Sequence, residues 1–210
     1  FYILGLATLG LIAGFYRAFL SKYINKNFKY EVKKITALNQ SVVEIDMAPK
    51  GEVMKFEPGQ FIFINFKSRG VSAEIHPFSI TNAPNDHNIK LVIKSLGDFT
   101  NDLKNLKSGD TATIEGPFGK FSYRNGLNKN QIWLAGGIGI TPFLGMARNL
   151  DNDYKINLFY CTNDREEEVL LDELQKLSLN NNLKISSWYS KEKGRINGQT
   201  VSGLCEGLEN

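Results

Sequence analysis

The sequence predicts a six-stranded antiparallel barrel, then a parallel α/β sheet, with a membrane-spanning apolar helix in front. Three observations carry this reading. Between Asn27 and Phe121, short β-branched and aromatic runs alternate with turn residues, the pattern of a small barrel. After Asn125-Gly126, strand-like and helix-like segments alternate, the pattern of a parallel, doubly wound sheet. From Phe1 to Tyr16 there is no charged residue.

The apolar start comes first. Arg17 interrupts it and Ala18, Phe19 and Leu20 extend it, just short of the roughly 20 residues a spanning helix needs. Tyr16 and Tyr23 suit an interface, and Arg17, Lys22, Lys26, Lys29, Lys33 and Lys34 follow. The positive-inside rule then places everything after Leu20 in the cytoplasm. A signal peptide would carry its basic residues before the apolar run rather than after it. A buried helix of a water-soluble domain would tolerate Gly5, Gly10 and Gly14 poorly. A start at Phe1 rather than Met, and an end on a helix that leads to no strand, predict a chain cut at both ends.

The barrel strands are expected in YEVKKITAL, SVVEIDMA, GQFIFINF, NIKLVIKS and TATIEG, with a short helix over Phe99–Leu106. In the second half, QIWLAG, KINLFYCT and LKISSWYS read as strands. TPFLGMARNL and EEEVLLDELQKL read as helices, and GQTVSGLCEGLEN opens a further one.

Composition narrows the function. Hydrophobic residues make up 42% and charged residues 22% of the 210, which excludes wholesale disorder. A net charge of +3 is too mild to point to nucleic acid. Two cysteines, Cys161 and Cys205, make no disulfide scaffold, and His76 and His87 are too few for a histidine-rich metal site. No metal ligand set is expected.

Four stretches carry chemistry. In LAGGIGITP, a strand runs into Gly136, Gly137 and Gly139, and Thr141 and Pro142 suit the N-cap and first position of a helix. Such a loop lets backbone N–H groups approach a phosphate. HPFSIT, residues His76 to Thr81, follows the third strand, and read alone it is an edge strand with a proline. GPFGKF, Gly116 to Phe121, is a turn at the end of the barrel. Lys94-Ser95-Leu96-Gly97-Asp98-Phe99-Thr100 leads a strand through a glycine into a helix start.

With PGQF before them, and in this order, these motifs resemble the ferredoxin–NADP reductase superfamily. HPFS in place of R-x-Y-S is similar to the ferric reductase and NADPH oxidase branch, as is an apolar helix just before the barrel. The resemblance covers nearly the whole chain. It implies that 1–22 ends a membrane domain, 27–124 is an FAD-binding barrel and 128–210 is an NAD(P)-binding domain of Rossmann-like type.

The resemblance also implies roles for residues. His76 would lie near the FAD pyrophosphate, Phe78 would pack on the flavin ring, and Ser79 would stand beside flavin N5 as the catalytic group. Pro77, Ile80 and Thr81 complete that cofactor-binding motif. Lys94, Gly97 and Thr100 match a second pyrophosphate contact. Gly136, Gly137, Gly139, Thr141 and Pro142 match the nicotinamide dinucleotide loop, with Cys161, Thr162 and Arg165 further along. Two features depart from the family. Asn163 stands where many relatives place an arginine for the 2′-phosphate of NADPH, leaving Arg165 or Arg195 as alternatives. The family's C-terminal Cys-Gly-Pro segment is absent, and Cys205 reads as a helix residue.

The resemblance implies an enzyme that passes electrons from NAD(P)H through FAD to haem in a membrane domain, and on to ferric iron or oxygen. The alternative is a peripheral flavin reductase that feeds a cytoplasmic acceptor.

Overall fold

The computed structural model describes residues 27–179 and 182–205, with positions 2, 5–8 and 10 ahead of them. The expected membrane helix over 1–22 lies outside the described residues, those few positions apart. Among the described residues no helix is long and apolar enough to cross a membrane.

The first half is a six-stranded antiparallel sheet. Its strands are β1 (Asn27–Ala37), β2 (Val42–Pro49), β3 (Phe61–Lys67), β4 (His76–Ser79), β5 (Ile89–Lys94) and β6 (Thr111–Phe118). Their order is β4-β3-β6-β1-β2-β5. The strands alternate because one face turns inward. In β3, Ile62, Ile64 and Phe66 are buried while their neighbours are less so. These three join Tyr30, Val32, Ile45, Met47, Leu91 and Ile114 in one core.

The expected barrel is not closed by a ladder, since β4 and β5 are the two ends of the sheet. Three side-by-side bonds stitch the seam instead. The Thr81 N–H and hydroxyl both donate to the Lys90 carbonyl, each at 3.0 Å. The Lys90 N–H donates to Asn82 Oδ1 at 2.8 Å. Thr81 and Asn82 are buried, so these bonds exchange little with water. Helix α1 (Asp98–Asp102) and a 3₁₀ turn over Leu103–Asn105 replace the single helix expected from Phe99 to Leu106.

The second half is a parallel sheet of β7 (Asn130–Gly136), β8 (Lys155–Thr162) and β9 (Leu183–Tyr189), in that order. Helix α2 (Thr141–Ala147) connects the first pair and α3 (Leu171–Ser178) the second. The described strands progress one way, so the reversal of a doubly wound sheet is not seen among the described residues. Helix α3 is shorter than the expected segment from Glu166 to Leu177. Residues Arg165–Glu167 form a 3₁₀ turn, and Glu168 is buried, accepting from the Tyr189 hydroxyl at 2.7 Å. Such side-chain bonds hold the acidic residues out of the helix. A final pair of helices, α4 (Ser190–Lys193) and α5 (Gly198–Leu204), follows β9.

The two halves share a core. Val42 and Val92 of the first half pack with Trp133, Ile140, Phe143, Leu144 and Leu158 of the second. The connecting segment is anchored by Tyr123, which is 2% exposed. Its hydroxyl lies 2.5 Å from the Asn149 carbonyl and 3.1 Å from the Asp151 carboxylate. Arg124 clamps both Asp151 oxygens at 3.0 Å. Tyr123→Phe therefore orphans the Asn149 carbonyl and is expected to cost about 1–2 kcal/mol in urea unfolding.

Candidate active site

Two cavities meet the same loop-to-helix element. The first, about 350 Å³, is lined by Gly59, Phe61, Pro77, Phe78, Ser79, Phe121 and Pro142. Most of that lining is apolar, and Phe121 is 55% exposed. Strand pairing explains the arrangement. Ser79 stands opposite Phe61 and Phe78 opposite Ile62, so adjacent residues of β4 face opposite sides of the sheet. Phe78 packs partly on the barrel core and its ring lies 6.4 Å from Phe99, nearly parallel to it.

His76 stacks on Phe99 with ring centroids 3.9 Å apart. Its Nε2 lies 2.9 Å from Glu74 Oε2, and this bond holds the Glu74 carboxyl below the usual range. Thr100 caps its own helix. Its hydroxyl accepts from the N–H groups of Leu96 and Gly97 and donates to the Gly97 carbonyl. Ile80 and Thr81 are buried, so they shape the strand from inside rather than line the cavity.

The second cavity, about 460 Å³, is lined by Lys94, Gly136, Gly137, Cys161, Thr162, Asn163, Glu167, Trp188, Ser190, Arg195 and Ile196. It sits at the carboxyl ends of β7 and β8, where open α/β sheets hold their ligands. Gly137 has φ +50, which favours glycine. At Gly136, Gly137 and Gly139 a Cβ would meet no neighbour within 4 Å. Packing thus demands no glycine there, and the space above the strand end is open. Thr141 does not cap α2 as expected. Its hydroxyl donates to the Ile138 carbonyl at 3.1 Å, because a 3₁₀ turn over Gly137–Ile140 carries the helix back past it. Pro142 then falls at the second helical position and turns toward the aromatic cavity.

Charges in the second cavity are mixed. The Asn163 side-chain amide donates to both Glu167 oxygens, at 3.1 and 3.2 Å, and keeps that carboxyl below its ordinary range. Lys94 Nζ lies 3.9 Å from the same carboxylate. Outside the lining, Lys191 pairs with Asp164 at 2.6 Å and lowers its carboxyl likewise. Burial pushes the Cys161 thiol up, so it is a neutral wall of the cavity rather than a thiolate. The Thr162 hydroxyl is taken by the Asp164 carbonyl at 2.8 Å.

Of the expected residues, Pro77, Phe78, Ser79 and Pro142 therefore share the first cavity, and Lys94, Gly136, Gly137, Cys161 and Thr162 the second. Arg165 is exposed and does not line the second cavity, whereas Arg195 does. Gly59, Phe61 and Phe121 of the first cavity carried no assigned role in the sequence, nor did Glu167, Trp188 and Ser190 of the second. The signal for the first three was present, since they lie in PGQF and GPFGKF.

The chain matches two family models. Residues 27–131 match an FAD-binding domain and residues 133–203 an oxidoreductase NAD-binding domain. It is 26% identical over 219 residues to NADPH oxidase 1 of Mus musculus, covering 90% of this chain and 36% of that protein. It is 29% identical over 176 residues to the mitochondrial ferric reduction oxidase 8 of Arabidopsis thaliana, covering 73% of this chain and 24% of that one. The chain thus spans less than half the length of these relatives. The fold is that of a flavohemoglobin from Malassezia yamatoensis solved with FAD and heme, with a TM-score of 0.71 at 22% identity, over 83% of this chain and 50% of that one. With an aromatic cavity and a glycine loop on one helix, and both domain models matched, the chain belongs to the ferredoxin–NADP reductase superfamily, built of an FAD-binding domain and an oxidoreductase NAD-binding domain and similar to NADPH oxidases and ferric reductases.

Proposed function

We propose that the chain is the electron-input part of a membrane flavin oxidoreductase driven by NAD(P)H, with 27–124 as its FAD domain and 128–210 as its nucleotide domain. The observation that carries this is the sharing of α2 between the two cavities: Pro142 walls the aromatic one, and the loop that feeds the helix walls the other. FAD held in the first cavity would supply a carrier that takes a hydride's two electrons from NAD(P)H and can pass them on one at a time.

The residues fit such a group. The aromatic walls of the first cavity suit a flat ring, and Ser79 offers a hydroxyl within them. The open glycine loop suits a pyrophosphate in the second cavity. Phe121 packs edge to face on the buried Phe143 at 5.4 Å, which holds the Phe121 ring in place at the wall of the first cavity. The residues fitted to the cofactors are those in the two cavities, with His76, Gly97 and Thr100 ordering the strand and helix beside them.

The apolar run before Asn27 and the lysines after it support a membrane anchor with both domains on the cytoplasmic side. Haem in that membrane part, and ferric iron or oxygen beyond it, complete the electron path by analogy with the relatives. The test is direct. Full-length protein is expected to carry FAD visible in its absorbance, and NADH is expected to bleach it. Phe78→Ala removes a ring that walls the cavity, and is expected to weaken FAD binding by about 1–2 kcal/mol, roughly tenfold, in a fluorescence titration. Unchanged affinity would assign Phe78 to the barrel core alone.

A further inference from the structure

We infer that Arg148 is a positioning residue, whose guanidinium pins helix α2 to the backbone just after β4 and so fixes the glycine loop relative to the aromatic cavity. This rests on the reading of the two cavities as the FAD and nicotinamide nucleotide sites.

Arg148 follows the last residue of α2 and its side chain is only 15% exposed. One of its N–H groups donates to the Thr81 carbonyl at 2.7 Å. Two others converge on Glu173 Oε1 of α3, at 2.7 and 2.5 Å. The Glu44 carboxylate of β2 lies 3.9 Å away. One side chain therefore bridges the barrel and the nucleotide domain, and links three elements of the two halves. A planar guanidinium can reach a carbonyl and a carboxylate at once, which a point-charge ammonium cannot do as well.

A second, independent contact lies one turn earlier. A Cβ on Gly145 would sit 2.7 Å from the Ile80 carbonyl oxygen, closer than real Cβ atoms come. That position is open only to glycine, because the obstacle is backbone. Helix α2 thus bears on the Ile80-Thr81 backbone at two places. The same helix starts at Thr141-Pro142, directly after the loop, so a shift at its far end is carried to Pro142 and the loop. Ile80 and Thr81 in turn continue the strand that presents Phe78 and Ser79. Arg148 touches neither cavity, so its effect runs through geometry alone.

The experiment uses full-length protein and three variants, Arg148→Ala, Arg148→Lys and Gly145→Ala. Three quantities are read: FAD content by absorbance, the limiting rate and half-saturation of flavin bleaching by NADH in stopped flow, and amide hydrogen exchange over residues 78–82 and α2. For Arg148→Ala the limiting rate is expected to fall about 10- to 100-fold, with FAD content and half-saturation within about twofold of the parent. Exchange is expected to rise in both segments together, and Arg148→Lys is expected to fall between parent and alanine. Gly145→Ala is expected to give the same pattern by steric means, and with Arg148→Lys it carries the test where Arg148→Ala does not fold. An unchanged limiting rate, unchanged exchange, or a rate loss that only follows lost FAD overturns the proposal. Parent protein that holds no FAD, or is not bleached by NADH, overturns the cavity reading instead, and exchange still decides whether Arg148 joins α2 to the strand.

Discussion

Gly59→Ala is expected to destabilise the protein by about 2–5 kcal/mol, and to empty the aromatic cavity as it does so. Gly59 ends the Pro58-Gly59 turn before β3, at φ +92, a conformation that L residues adopt at a cost. A Cβ there would stand 2.0 Å from the Phe121 carbonyl oxygen and 2.4 Å from the Met146 Cε. The methionine end can swing aside, but the carbonyl is backbone. Three pieces meet at this glycine: the turn, the linker carrying Phe121, and α2 carrying Met146. An alanine therefore pushes the linker and α2 off the barrel, and Phe61 and Phe121 lose their spacing across the cavity. Urea unfolding measures the first effect, and FAD titration of the folded fraction measures the second. A loss under about 1 kcal/mol would show that the linker yields freely, contrary to its anchoring by Tyr123 and Arg124.

The fold was legible because period and punctuation agree along the chain. The alternation in GQFIFINF becomes the alternating burial of β3, and Asn125-Gly126 marks the change from barrel to parallel sheet. Seam closure was not legible, because it depends on Thr81 and Asn82 finding Lys90, a partner that only tertiary structure supplies. The helix expected from Glu166 starts only at Leu171 for a similar reason. Its acidic residues suit a first helical turn, yet Asn163 and Tyr189 claim Glu167 and Glu168 from outside the segment. The glycine loop was visible as a motif, but the cap expected at Thr141 does not form, since a 3₁₀ turn ahead of it moves the cap position to Ile140. On the first cavity, β4 was readable as HPFS. Phe61 and Phe121 lay in readable motifs, but their place in the cavity came only with the strand pairing, which sets Phe61 opposite Ser79, and with the linker path, which brings Phe121 into the same lining as Pro142.

On the proposed reading of the second cavity, Glu167 is expected to set nucleotide preference, and Glu167→Arg to raise the NADPH-to-NADH ratio of kcat/KM by about 100- to 1,000-fold. The parent is expected to use NADH at least as well as NADPH. In the second cavity the Glu167 carboxylate is kept ionised by the Asn163 amide. A ribose hydroxyl can donate to such a group, whereas a 2′-phosphate is repelled by it. Two like charges about 5 Å apart repel by about 1–3 kcal/mol between surface and bulk dielectric, so Glu167→Gln alone is expected to give roughly tenfold. Arginine goes further, since it replaces repulsion by a charge-assisted bond of about 1.5–3 kcal/mol. It also leaves Lys94, now 3.9 Å from the carboxylate, without that counter-charge. Arg195 lines the same cavity and adds to the field that either variant uncovers. Steady-state kinetics of the full-length protein with both donors measures the ratio, and the half-saturation for NADH reports whether the cavity kept its shape. A parent that already prefers NADPH a hundredfold, with a ratio unmoved by Glu167→Arg, would assign the 2′-phosphate to Arg195 and leave Glu167 the partner of Asn163 only.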